Sequence, residues 1–206
     1  MLAAGHHNQN GGDATEKAQT AEMCHALRVA LTLRGATVRV VTPNGGYGIF
    51  SGTVYDVGAR VVEWDRLGWR CDLFLETHTQ GSPDPRERGA FFIYPDNQAG
   101  DVDTEVRDDL GPMLAEAIRA ATGLPAGHHG ILSEQQTQVG IDGDRLGIFV
   151  ATESIKAHCT RIIAEVGAHT SPEDMAIIGV RGFYEQAAGA MADAIAAWAN
   201  ARLAPG

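Results

Sequence analysis

Residues 2–35 read LAAGHHNQNGGDATEKAQTAEMCHALRVALTLRG, and this stretch decides the fold. The short apolar run Leu2–Ala4 predicts a strand, and the polar, glycine-rich HHNQNGGDAT after it predicts a loop. A helix is expected from about Asp13 to Arg34, with Ala18, Ala21, Leu27, Ala30 and Leu31 on one broad face. Gly35 then supplies the residue at which helices commonly stop. A strand that runs through a loop into a long amphipathic helix is one β–α unit.

The rest of the chain continues the alternation. ATVRVVT (36–42) is β-branched and reads as a strand, PNGGYGIFSG (43–52) as a loop, and Val54 to Leu67 as a helix. CDLFLET (71–77) reads as a buried strand ending at His78, and GAFFIYP (89–95) as another strand. The acidic segment DNQAGDVDTEVRDD leads into a helix through Ala121. Residues 123–145 carry the least pattern, with one strand expected within ILSEQQTQV, and LGIFV (146–150) and TRIIAEV (160–166) both read as strands. Ser171-Pro172-Glu173-Asp174 has the cap and the proline of a helix start, and an alanine-rich helix is expected from about Gly182 to Arg202. The pattern predicts an α/β fold: one domain over residues 1–206, a three-layer α/β/α sandwich around a mostly parallel (mixed) sheet of about six strands.

Twenty-six acidic against 16 basic residues give a net charge of −10, which argues against nucleic acid as a partner and against a surface held by general cationic attraction. The three cysteines, Cys24, Cys71 and Cys159, show no paired spacing and read as buried thiols. MLAAGHHNQNGG lacks the basic start and apolar stretch of a secretory signal, and no run approaches the roughly 20 apolar residues of a membrane span. The expectation is a chain made as a soluble cytoplasmic protein, which something else must release if it works outside.

Four residues carry candidate chemistry. His6 follows the first strand, His78 follows DLFLET, Glu16 lies in the first turn of the first helix, and Glu165 sits near the end of TRIIAEV. Side chains at the carboxyl ends of strands converge on one edge of an α/β sheet. Two imidazoles and a carboxylate with a fourth position left for water are the donors of a catalytic zinc site, and a second carboxylate nearby can serve as a base. Other readings stay open at several positions. Glu16 also fits a capping box begun by Asp13, with Glu22 as the other candidate donor, and His7 could replace His6. Glu165 could belong to a buried ion pair, with Glu134 as the substitute base, and His128-His129 reads as an exposed loop.

Taken together, Gly5-His6-His7, Glu16-Lys17 opening a helix, the strand ending at Thr77-His78, and Glu165-Val166-Gly167 resemble the zinc-dependent N-acetylmuramoyl-L-alanine amidases of the Amidase_3 family. The likeness runs over nearly the whole chain, from about residue 2 to 203. His7, Thr79-Gln80 and Ala168-His169 depart from the family's usual residues, and its arginine and Ala-Asn signature before the second ligand strand is absent. The resemblance implies zinc on His6, Glu16 and His78, with Glu165 as general base and then proton donor to the leaving amine. It implies cleavage of the amide between N-acetylmuramic acid and L-alanine in peptidoglycan or muropeptides, in the manner of a lone lysin or endolysin domain of phage type. The competing expectations are another zinc peptidase or carboxypeptidase on the same scaffold, and a wall-fragment binding protein without catalysis.

Overall fold

Apolar alternation builds the central sheet. In the computed structural model, which describes residues 1–6, 14–42, 48, 50–82, 84, 86–97, 101–137 and 145–203, strand β1 (Leu2–Ala4) is buried throughout and leads to helix α1 (Ala14–Leu33). Next come β2 (Val40–Val41), α2 (Val54–Arg66), β3 (Leu73–Gln80), β4 (Ala90–Tyr94), and a small separate ribbon of β5 (Asp96–Asn97) and β6 (Asp101–Val102). Helix α3 (Gly111–Thr122), β7 (Ala126–Ser133), α4 (Gly147–Ala151), β8 (Thr160–Ala168), α5 (Pro172–Ile178) and α6 (Phe183–Leu203) complete the order. The six-stranded sheet runs β2-β1-β3-β8-β4-β7, parallel at every pairing except β4 with β8. The fold is α/β with a mixed, mostly parallel sheet, as the sequence predicts.

Each strand sends alternate side chains to opposite faces, which sorts the core into two layers. Leu75, Phe92, Ile162 and Ala164 pack with α1, α3 and α6 on one face. Phe74, Phe91, Ile93 and Ile163 pack with α2 and α4 on the other. Two helix starts follow from local chemistry. The Thr53 hydroxyl accepts from Asp56 N while Asp56 accepts from Thr53 N, a capping box for α2. Ser171 accepts from Asp174 N with Pro172 in the first turn, so α5 begins where its sequence indicates.

Several expectations change. LGIFV (146–150) is not a strand: Gly147–Ala151 is a helical turn that buries Ile148 and Phe149 against α2. A run of apolar residues this short fits either element, because periodicity cannot separate them. The approach is close, since a Cβ on Gly58 of α2 would come 2.3 Å from Ala151 Cβ. Of ATVRVVT only Val40 and Val41 are strand, and β7 starts at Ala126, ahead of ILSEQQTQV. Ala18 is exposed; the buried face of α1 begins with Glu16, Gln19 and Thr20. Cys24, Cys71 and Cys159 are buried free thiols, as expected.

Candidate metal centre

Strands β1, β3 and β8 are parallel neighbours, and their carboxyl ends meet the start of α1. Gly5 continues β1 by donating its N–H to Thr77 O at 2.8 Å. His6 follows in the left-handed region at φ 54°, a conformation costing a non-glycine residue roughly 1–3 kcal/mol. His78 lies within β3 rather than beyond it, because pairing with β8 runs on past His78↔Glu165 to Gln80↔Ala168. Its ring packs directly over Gly5: a Cβ there would fall 2.2 Å from His78 Cε1 and Nε2.

Two hydrogen bonds lock the first turns of α1 to β3. Thr77 Oγ1 donates to Thr20 O at 2.9 Å, and Thr79 Oγ1 donates to Gln19 Oε1 at 3.0 Å. They place Glu16, buried, with Oε1 against His6 Nε2. His6 Nε2 is 3.2 Å from His78 Nδ1, and donor atoms of His6, Glu16 and His78 all lie within 4.8 Å of one another. Tetrahedral zinc with bonds of about 2.0–2.1 Å separates its donors by about 3.3–3.4 Å; the His6–His78 pair at 3.2 Å matches that spacing, and two imidazoles with a carboxylate are a donor set such an ion takes. Glu22 is not part of this group. His7 and Asp13, the alternatives offered for ligand and cap, lie outside the described residues.

Acidic groups surround the imidazoles. His78 Nε2 is 3.4 Å from Glu76 Oε2, so Nδ1 faces His6 while a buried carboxylate orients the far side of the ring. Burial alone would lower the His78 pKa, but Glu76, Glu165 and Glu16 outweigh it and raise the imidazole to about 9. Burial pushes the Glu165 carboxyl up, opposed by His78 and reinforced by Glu16. Glu165 Oε2 is buried and has no hydrogen-bond partner among the described residues. Leaving a buried acceptor unmade costs about 1–3 kcal/mol, and more if it is charged. His78 and His6 are the cationic partners that face the Glu165 carboxyl.

Two further expectations are corrected. Glu134 is not a spare base: its buried carboxylate accepts from Asp96 N and Leu146 N, both at 2.9 Å, and ties together the loops at the end of β7. His128 and His129 belong to β7, in a bulge where both are exposed.

Other residues enter the site that motif reading passed over. His169 lies just past β8 with Nδ1 3.3 Å from Thr79 O and 3.9 Å from Glu16 Oε2. Asp174, fully buried, accepts from Arg88 Nε at 2.9 Å, Gly89 N at 2.6 Å and Ala168 N at 3.0 Å, pinning the start of β4 to the end of β8. Glu76 carried a signal in its two-residue spacing from His78, which puts both on one face of β3. For Asp174 the sequence shows only a helix start.

Similarity to known proteins agrees with this geometry. The sequence profile of Amidase_3, N-acetylmuramoyl-L-alanine amidase, matches residues 1–197. The chain belongs to the N-acetylmuramoyl-L-alanine amidase family. Solved structures share the fold at low identity. An N-acetylmuramoyl-L-alanine amidase from Clostridium difficile 630 is 14% identical with TM-score 0.65, covering 98% of this chain and 96% of that one. An N-acetylmuramyl-L-alanine amidase from Mycobacterium smegmatis is 21% identical with TM-score 0.64, covering 94% and 83%. One from Nostoc punctiforme is 18% identical with TM-score 0.62, covering 97% of each chain. A sequence search of curated proteins found no match. Among the described residues, no helix of this family member is long and apolar enough to cross a membrane.

Proposed function

We propose that the chain is a zinc-dependent N-acetylmuramoyl-L-alanine amidase that hydrolyses the amide between the lactyl group of muramic acid and the L-alanine of the stem peptide. The observation that carries this reading is the His6–Glu16–His78 donor cluster beside Glu165, whose buried Oε2 has no hydrogen-bond partner among the described residues. Family membership supports the bond assignment.

His6, Glu16 and His78 would hold the ion, with Glu76 fixing the His78 ring and Gln19 and Thr79 fixing the first turns of α1. Zinc held by these residues would supply a water of lowered pKa, toward about 7, and a Lewis acid for the carbonyl to be attacked. Glu165 accepts one proton from the attacking water as the new C–O bond forms. It then delivers that proton to the alanine nitrogen as the C–N bond breaks, which leaves a free lactyl carboxylate and an L-alanine amino terminus. Burial suits the carboxyl to both acts, because a raised pKa makes it a stronger base and a workable acid near neutrality.

Mass spectrometry of digested peptidoglycan tests the reading. The expected products are stem peptides with new L-alanine amino termini and glycan with unsubstituted lactyl groups. Cleavage between stem residues would replace it with a peptidase. Protein purified without chelator should hold close to one zinc; less than about half an equivalent, with no gain on added zinc, would overturn the enzyme reading. Clearing of purified wall sacculi tests the extension to a lytic, endolysin-like role.

A further inference from the structure

One row of side chains crosses the sheet on the α2/α4 face. His78 pairs with Glu165 between β3 and β8, and Glu165 pairs with Phe91 between β8 and β4. Beyond Phe91 stands His128 of β7, its ring edge-on to Phe91 at 4.7 Å between centroids. The strand that presents His128 is distorted there. β4 advances from Ala90 to Phe92 while β7 advances from Ala126 to Ile131, and the surplus is taken up by His128, His129 and Gly130 at φ 46°, 58° and 89°. Among the described residues, His6, His128 and His129 are the non-glycine residues with positive φ. One is a proposed metal ligand, and the other two share its edge of the sheet. Strain of this kind persists where surrounding structure enforces it, typically at sites that act on a ligand.

The bulge walls a cavity of about 580 Å³ whose lining includes Arg86, Glu87, Arg88, Pro125, Gly127 and His128. The segments that line it pack backbone on backbone: a Cβ on Gly89 would fall 2.3 Å from Pro125 O, and one on Gly127 would fall 2.7 Å from Arg88 O. Arg88 is aimed by the buried Asp174, which takes only its Nε; among the described residues its terminal nitrogens carry no hydrogen bond. Arg86 pairs with Asp84 at the exposed rim.

We propose that this cavity is the subsite for the carboxylate of the second stem residue, which follows the L-alanine whose amide is cut, with Arg88 as its main partner. The proposal rests on the amidase reading. Reach supports it, since the cavity begins about two strand spacings, roughly 10 Å, from Glu165. Two residues of extended chain span about 7 Å, and the longer side-chain link of a γ-joined glutamate supplies more. A guanidinium with open terminal nitrogens offers two parallel donors to a carboxylate and loses that fit to an amide.

The test uses two muramyl dipeptides that differ in one group, N-acetylmuramoyl-L-alanyl-D-isoglutamate and its isoglutamine counterpart. The wild-type chain should favour the isoglutamate substrate about tenfold in kcat/KM, mostly through KM. Arg88→Gln should raise KM for that substrate about tenfold and erase the preference. Because Arg88 also partners buried Asp174, Arg86→Gln provides a second variant at an exposed position, and it should reduce the preference about threefold. Calorimetric binding of the free dipeptide L-alanyl-D-isoglutamate should weaken about tenfold in Arg88→Gln. If both muropeptides are cut with equal efficiency, or Arg88→Gln and Arg86→Gln keep the wild-type preference, the subsite is wrong and the amidase reading stands. If the free dipeptide binds with the expected Arg88 dependence and neither muropeptide is cut, the subsite stands and the amidase reading fails.

Discussion

Strands β3 and β8 carry similar side chains at their two ends and treat them in opposite ways. At the amino-terminal ends, Asp65 accepts from Cys71 N at 2.8 Å and lies 3.1 Å from His158 Nε2, while the Cys159 thiol donates to Cys71 Sγ at 3.2 Å. That donation lowers the Cys71 pKa and raises that of Cys159, and each group there has a partner. At the carboxyl-terminal ends, His6 and His78 lie close to Glu16, with Glu76 and Glu165 facing His78, the buried Glu165 Oε2 has no hydrogen-bond partner among the described residues, and His6 is left-handed. Histidine beside a carboxylate occurs at both ends, so residue type does not mark the chemistry. The convergence of donor atoms does, together with the left-handed backbone that holds one of them.

The comparison breaks most visibly at Glu165. Glu165→Gln keeps the shape and removes the proposed proton acceptor, so amide hydrolysis should fall about 10²–10⁴-fold. Zinc content should stay at the wild-type level, and thermal stability should not fall, since the amide replaces a carboxyl whose buried oxygen has no hydrogen-bond partner among the described residues. Activity within a few-fold of wild type would place the base elsewhere.

Gly5→Ala tests the seat of the metal cluster. The new Cβ would overlap the His78 ring at 2.2 Å, so the imidazole must leave its place beside His6. Metal affinity, measured by competition with a chelator, should drop about 10–100-fold, the size expected when a ligand's support is lost. An unchanged affinity would mean that His78 is not held as described.

Much of this contrast was legible in the sequence, and the illegible parts share a cause. β1, α1 and the helix start at Ser171 depend on neighbours within a few residues, so their local chemistry is written locally. His6, Glu16 and His78 follow from strand ends and a helix start, and the structure brings all three together. α4 was misread because five residues of an apolar run do not choose between helix and strand until Gly58 of α2 is known to face them. Asp174 and His169 were missed because their partners, Arg88 and Gly89 for one and Glu16 and Thr79 for the other, are remote in the chain. The bulge at His128 was invisible for the same reason, since it exists only as a difference in advance between β7 and β4.

A smaller effect separates the two ends by pH. The folded His78 pKa of about 9 exceeds its ordinary 6.5, so protonation of His78 stabilises the metal-free fold fully below about 6.5 and ever less as pH rises through 9. Glu165, also raised, acts in the same direction: its folded carboxyl prefers the proton, and stability is lost once the pH exceeds that raised value. Thermal melts of chelator-treated protein should therefore show the melting temperature falling from pH 6.5 to 9. A cation bound among these carboxylates takes over the role of the proton, so the zinc-loaded protein should show a flatter profile. Parallel profiles would mean that the acidic groups do not surround the ion.

The smallest effect is expected at the amino-terminal end, where Asp65→Ala removes the acceptor for Cys71 N and the partner of His158. The strand start then keeps an amide without its bond, at a cost of about 1–3 kcal/mol. For a chain of this length each kcal/mol lowers the melting temperature by about 2–4 °C. Asp65 is held below the ordinary carboxylate range, because the Cys71 amide and His158 outweigh burial, so its contribution is present at neutral pH and fades in acid. The difference between wild type and variant should therefore shrink as pH falls below about 4. Amide hydrolysis and zinc content should stay within twofold of wild type throughout, because the cluster lies at the opposite end of β3 from His78. Loss of activity without loss of melting temperature would show that the two ends are coupled through the strands, and the satisfied cluster could no longer be treated as structural alone.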